Sequence, residues 1–196
     1  MKRLLLGALL MSAVVALPAM AALKAGDTAP DFTAQASRAG KVFTFSLENA
    51  LKKGPVVVYF YPSAYTGGCD LEAHTFAQDS GKFAAAGATI IGVSFDSIQR
   101  LKTFSADPKY CAGKFPTASD ASGAISKSYG VGSQQGPPGL KDVRGVEIGH
   151  AFDNRTTFVI ARDGKIVRVI SKVSPTEHVA KALRIVRRLH AKSRQA

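Results

Sequence analysis

The chain has no Cys-x-x-Cys and only two cysteines, Cys69 and Cys111. The missing spacing excludes a dithiol pair closed within one helical turn. No recognised metal-ligand spacing joins Cys69, His74 and Cys111, which leaves a metal role without a pattern. Acidic residues are scarce: 14 Asp and Glu face 26 Lys and Arg, a formal net charge of +12. The basic excess lacks aromatic interleaving and any nucleic-acid motif, so nucleic acid is not the expected partner. It thickens at Lys181, Arg184, Arg187, Arg188, Lys192 and Arg194, which read as a solvated helix face, the alternative being a surface for anionic lipid. There is no stop-transfer pattern, internal repeat or low-complexity tract.

The first residues read as a targeting segment. Lys2 and Arg3 form a basic start, Leu4 to Leu17 an apolar stretch, and Ala19-Met20-Ala21 a cleavage signal. That stretch is short for a membrane span. The expectation is a signal peptide at 1–21, export to a periplasm, and one domain over 22–196, a length that suits a single full core. In an oxidising compartment two cysteines also suggest a disulfide.

The organising stretch runs from Val56 to Glu72. Val56-Val57-Val58-Tyr59-Phe60-Tyr61 reads as a strand buried on both faces. Pro62 ends it, and Gly67-Gly68 permits a tight turn. Cys69 then falls in the first turn of a helix. Unpaired N–H groups and the positive dipole end favour a thiolate there, and the thiolate is the nucleophile. The alternative is a small buried core residue.

Around this stretch, strands are expected at Lys41–Ser46, Ala88–Ser94, Arg155–Ala161 and Ile166–Ser171, the last two joined through Asp163-Gly164. Helices are expected at Gly68–Ala85, with Leu71, Phe76, Phe83 and Ala84 inward, and at Ser97–Ala106 and Ala121–Tyr129. A final helix begins at Ser174-Pro175 and buries Val179, Leu183 and Val186. Leu47–Lys52 suits a short helical turn, Tyr110–Gly113 is ambiguous, and Gly132–Gly149 reads as a long surface loop. The alternation predicts an α/β sandwich around a mixed sheet.

Pro62-Ser63-Ala64-Tyr65-Thr66-Gly67-Gly68-Cys69 carries the spacing P-x-x-x-T-x-x-C. It resembles the active-site signature of peroxiredoxins. The preceding Tyr-Phe-Tyr-Pro is similar to the bacterioferritin comigratory protein (peroxiredoxin Q) branch of the AhpC/TSA superfamily. Ala29-Pro30-Asp31-Phe32, Glu72 and the strand opening Asn154-Arg155-Thr156-Thr157 extend the likeness over most of Ala25 to His190.

The resemblance implies a thioredoxin-like fold with a central mixed sheet flanked by helices, and cysteine-based reduction of hydrogen peroxide and organic hydroperoxides. It implies Cys69 as the attacking sulfur, with Arg155 stabilising the charge that moves onto the leaving oxygen. Thr66 would align the peroxide, Pro62 would shield the sulfur, and Glu72 would orient Arg155. It implies no cofactor, an exported thioredoxin-type dithiol as reductant, and a monomer or weak dimer. The branch often carries a resolving cysteine five residues after the first, where this chain has His74, a helix-surface histidine on this reading. Cys111 is the remaining candidate, with a permanently reduced Cys111, or a one-cysteine mechanism using an external thiol, as the alternatives. A non-catalytic binding or chaperone module and a structural-disulfide protein are the competing functional classes.

Overall fold

The computed structural model describes residues 22–195; the expected signal peptide at 1–21 lies outside them. The chain runs β1 (Thr33–Arg38), β2 (Lys41–Ser46), α1 (Leu47–Leu51), β3 (Val56–Phe60), α2 (Gly67–Ala85), β4 (Thr89–Ser94) and α3 (Ile98–Ala106). Then follow β5 (Thr117–Ser119), α4 (Ala124–Ser128), β6 (Ser133–Gln135), β7 (Ala151–Asp153), β8 (Thr156–Ile160), β9 (Ile166–Ser171) and α5 (Pro175–Ser193). Seven strands form one sheet in the order β2-β1-β5-β4-β3-β8-β9. β3, β4 and β5 are parallel neighbours, and β8 closes on β3 antiparallel. This is the thioredoxin-like α/β arrangement, a central mixed sheet flanked by helices.

Side-chain alternation along β3 divides the interior. Val57, Tyr59 and, just past the strand, Tyr61 join a core covered by α2, α3 and α5, where Phe76, Leu101, Phe104 and Val186 pack. Val56, Val58 and Phe60 face a second core with Phe32, Phe45, Leu47, Tyr129 and Phe158. A strand apolar at every position requires cover on both faces, and the helices and the N-terminal segment supply it. On α5 a capping box fixes the start: Ser174 accepts from the Glu177 N–H, and Glu177 accepts from the Ser174 N–H.

The structure departs from the sequence reading at several elements. β1 went unrecognised; it pairs with β2 through a two-residue turn in which Ala39 and Gly40 both take positive φ, 51° and 76°. Ala at the first of those positions gives a weak turn signal. The helix expected over Ala121–Tyr129 shrinks to α4, because Gly123 sits left-handed at φ 71° and the Asp120 carboxylate caps Ile125 and Ser126. Leu71 is 48% exposed and Ala84 is exposed, so neither is a core contact of α2. Gly132–Gly149 is more than a surface loop: β6 pairs with β7, a bridge joins Lys141 to Glu147, and Asp142 and Ile148 are buried.

Gly92 of β4 pairs with Tyr59 of β3. A Cβ placed there meets the Tyr59 ring at 2.7 Å, so the ring occupies the space a side chain would need. Gly92→Ala is expected to lower unfolding free energy by about 1–3 kcal/mol through overpacking. Urea denaturation measures this, and an unchanged midpoint would refute the tight packing of that ring.

Candidate active site

Leaving β3, the chain passes Pro62 and turns through Ser63–Thr66 into α2. Pro62 is half-buried; Ser63, Ala64 and Tyr65 are buried. Tyr65 holds a left-handed backbone at φ 62°, uncommon for an aromatic residue. Thr66 occupies the N-cap position of α2, but its hydroxyl donates to the Ser63 carbonyl at 2.7 Å instead of capping the helix. Cys69 is the third residue of the helix and is 2% exposed.

Glu72 lies three residues on, on the same face of α2 as Cys69. Arg155 reaches both from the segment just before β8. Its Nη2 lies 3.3 Å from Cys69 Sγ, and its Nη1 pairs with Glu72 Oε2. A Cβ at Gly68 would lie 3.3 Å from the same Nη2, so the second glycine leaves room for the guanidinium. Glu72 is fully buried, and its Oε1 has no partner.

Burial sets the ionisation of this trio. It pushes the Glu72 carboxyl up to about 7 against the opposing pull of Arg155. It also pushes the Cys69 thiol above its ordinary value, against Arg155, the Thr66 hydroxyl and the Ser63 backbone. Burial therefore opposes the ionisation that the sequence assigned to the helix N-terminus, and Arg155 is the largest of the contacts that favour it. One fixed cation faces two acids in a dry site, so their titrations are coupled, with Arg155 neutralising one at a time.

The structure thus brings Cys69, Glu72, Thr66 and Arg155 together. Cys111 sits in the turn between α3 and β5, fully buried in the same core as Cys69, and both thiols are free. Burial, then the charges of Asp70 and Asp107, push the Cys111 thiol well up. His74 is exposed, and its Nδ1 lies 3.0 Å from the Lys109 carbonyl. Behind Arg155, His178 is fully buried, with Nδ1 2.9 Å from Thr157 Oγ1 and Nε2 unpartnered. Sequence reasoning missed His178, and it missed a polar cluster around Asp96, Arg100, Asp142 and His150. No spacing links all four positions; the available signals were a carboxylate two residues past the buried strand β4 and its i,i+4 relation to Arg100. Among the described residues no group of three His, Cys, Asp or Glu is placed to hold a metal ion.

The fold and this site define a class. The profile of the AhpC/TSA family matches residues 25–169. A putative peroxiredoxin of Mycobacterium tuberculosis is 36% identical over 162 residues, spanning 83% of this chain and 94% of that protein. Peroxiredoxin Bcp of Xanthomonas campestris is 34% identical over 137 residues, spanning 70% and 78%. The crystal structure of peroxidoxin BcpB from Mycobacterium tuberculosis superposes with a TM-score of 0.69 at 33% identity, covering 84% of this chain and 97% of that one. The chain belongs to the AhpC/TSA family and is a peroxiredoxin, an enzyme of the thiol-peroxidase class. Within the family it is homologous to the Bcp and peroxiredoxin Q proteins.

Glu72→Gln removes the acid that competes for Arg155 while keeping an acceptor for it. The Cys69 titration is expected to fall, by about one pH unit, read as the pH dependence of thiol alkylation. An unchanged or higher midpoint would show that the two groups do not compete. For His178, burial first, then Arg155 and Lys181, hold the imidazole down to about 4, so folding favours its neutral form. Its contribution is present above the unfolded value of about 6.5 and is lost as pH falls through the folded one. Urea midpoints should decline between those values, and His178→Gln should flatten that slope; identical slopes would refute the assignment.

Proposed function

We propose that Cys69 is the peroxidatic sulfur and that Arg155, Thr66, Glu72 and Pro62 complete its site. The observation that carries this reading is the Arg155 guanidinium, 3.3 Å from Cys69 Sγ and paired to Glu72 on its other side. The Cys69 thiolate attacks one peroxide oxygen and the O–O bond breaks. The sulfur becomes sulfenic acid, and the other oxygen leaves as water or alcohol, carrying the proton the thiol gave up. Arg155 lies where it can stabilise negative charge passing from sulfur to the leaving oxygen. Because Thr66 Oγ1 already donates to Ser63, its lone pairs are free to accept from the peroxide O–H. Pro62 shields the sulfur from water.

Hydrogen peroxide and organic hydroperoxides are the substrates of this reading. Cys111 is the resolving thiol: it condenses with the Cys69 sulfenic acid, forming the S–S bond and releasing water. Both sulfurs are buried, so that step requires local opening of the segments that carry them. A one-cysteine cycle with an external thiol is the alternative. The reductant is an exported, thioredoxin-type dithiol, the compartment is the periplasm, and the protein acts as a monomer or weak dimer.

Stopped-flow mixing of the reduced protein with peroxide should show rapid stoichiometric loss, and a rate no greater than that of free cysteine would overturn the reading. Arg155→Met should slow the step by about 10²–10³-fold, the scale for one positioned charge-stabilising donor. Peroxide titration of the wild-type protein should give a Cys69–Cys111 disulfide by mass spectrometry, whereas in Cys111→Ser the first oxidation should proceed and Cys69 should persist as sulfenic acid; wild-type protein that stops at sulfenic acid would remove Cys111 from the resolving role.

A further inference from the structure

The turn that carries Thr66 is held from beneath by one carboxylate. Asp96, fully buried just past β4, accepts from Ser63 Oγ at 2.9 Å, the Ala64 N–H at 2.7 Å and Ser94 Oγ at 2.8 Å. His150 Nε2 lies 2.9 Å from the same carboxylate, and Arg100 Nε forms an ion pair with it at 2.9 Å. Arg100 Nη2 donates to the Ala64 carbonyl at 2.8 Å and pairs with Asp142 at 2.7 Å. Asp142 also holds Arg144, whose guanidinium sits 3.3 Å above the centre of the Tyr65 ring. The Val143 N–H donates to the Tyr65 carbonyl at 3.0 Å. The segment between β6 and β7 thereby touches the turn at Ser63 and Tyr65, and Asp96 and Arg100 hold Ala64 between them.

Ser63, His150 and Asp96 have the composition of an acyl-transfer triad but not its order. A single ring nitrogen, Nε2, faces both Asp96 and Ser63 Oγ, the latter at 3.4 Å, and Ser63 donates to the carboxylate. No relay from acid through base to nucleophile exists. His150 instead has an acceptor at each nitrogen, the Ala151 carbonyl at Nδ1 (2.8 Å) and Asp96 at Nε2. Two donations require both protons, so the ring in this geometry is the charged imidazolium.

We propose that Asp96 and His150 are positioning residues of the peroxide reaction: they clamp the Ser63–Tyr65 backbone, fix the Thr66 hydroxyl through the Ser63 carbonyl, and hold Cys69 closed until the clamp releases. This rests on the reading of Cys69, Thr66 and Cys111 given above. Thr66 Oγ1 has its proton on the Ser63 carbonyl, so any movement of that carbonyl redirects the lone pairs offered to peroxide. Opening is opposed by the same bonds, and opening is what disulfide formation needs. One clamp therefore favours the first chemical step and retards the second.

His150 also gives the clamp a pH dependence. The charged groups facing it are Asp96 from the β4–α3 connection, Arg100 on α3 and Asp153 on β7, with the Phe152 ring edge-on. Burial lowers its ionisation, but the bonds to Asp96 and Ala151 outweigh that and raise it above its ordinary value. The clamp is thus complete below about 6.5 and weakens as pH rises through the higher folded value.

The test uses His150→Ala and His150→Gln, since Asp96→Asn would strand several buried donors and could prevent folding. In His150→Ala, peroxide oxidation of Cys69 should slow about tenfold and the following disulfide step should quicken about tenfold, the scale of one charge-assisted hydrogen bond. His150→Gln, which keeps an N–H donor, should restore most of both rates and remove the part of their pH dependence that does not follow the Cys69 titration. A merely structural residue would slow both steps together, and that outcome overturns the proposal. Hydrogen exchange of the reduced protein judges the clamp without chemistry: protection at Ala64 and neighbouring amides should fall about tenfold in His150→Ala. If wild-type protein consumes peroxide but exchange is unchanged in the variant, the clamp is refuted alone. If wild-type protein fails to consume peroxide, the role assigned to Cys69 falls, and with it the clamp's catalytic meaning.

Discussion

Arg155 is a permanent cation enclosed by a carboxyl group, a thiol and the first turn of α2. Few buried arrangements tolerate such a charge without a fixed counter-ion. The constraint reaches outward from there. The guanidinium must be delivered from the head of β8, so β8 must lie beside β3, the strand that leads to the cysteine. The helix must begin with residues small enough to admit it, which is what Gly68 provides. Glu72 must fall on the same helical face as Cys69. The mixed sheet, with its antiparallel β8–β9 hairpin against a parallel centre, is the framework that meets these demands together.

The dry setting matters as much as the contacts. With Cys69 and Glu72 both buried, neither acid ionises as it does in water, and each depends on the same cation. A site of this kind balances its charge internally: the proton that leaves one acid alters the other. Such coupling concentrates reactivity at one sulfur and leaves the second, Cys111, chemically quiet in the closed molecule.

Much of this was readable from the chain because the signals were local and strong. The six-residue apolar run, the paired glycines and the Ser174-Pro175 start each declared an element by its own chemistry. Arg155 and Glu72 came through a pattern shared with a family, since neither a strand-end arginine nor a helix-start glutamate marks itself. What escaped was non-local or weakly coded. β1 was hidden because its turn uses Ala39 where Asn or Asp would have announced it. β5, β6 and β7 are each three residues long, too short for a period to show. The Asp96 cluster draws its members from residues 63 to 150, and only tertiary folding gives them a common address. The burial of Cys69 was hidden for the same reason: a helix N-terminus is visible in sequence, whereas the degree of dehydration is not.

Cys111 has a use that does not depend on any role in turnover. It has no exposed surface, and its thiol is held protonated by burial and by two nearby carboxylates. A water-borne alkylating reagent cannot reach it in the closed molecule, so each modified Cys111 marks a molecule that had opened before the reagent arrived. The side chain is a native labelling reporter: counting its adducts over time gives the frequency with which this core breathes.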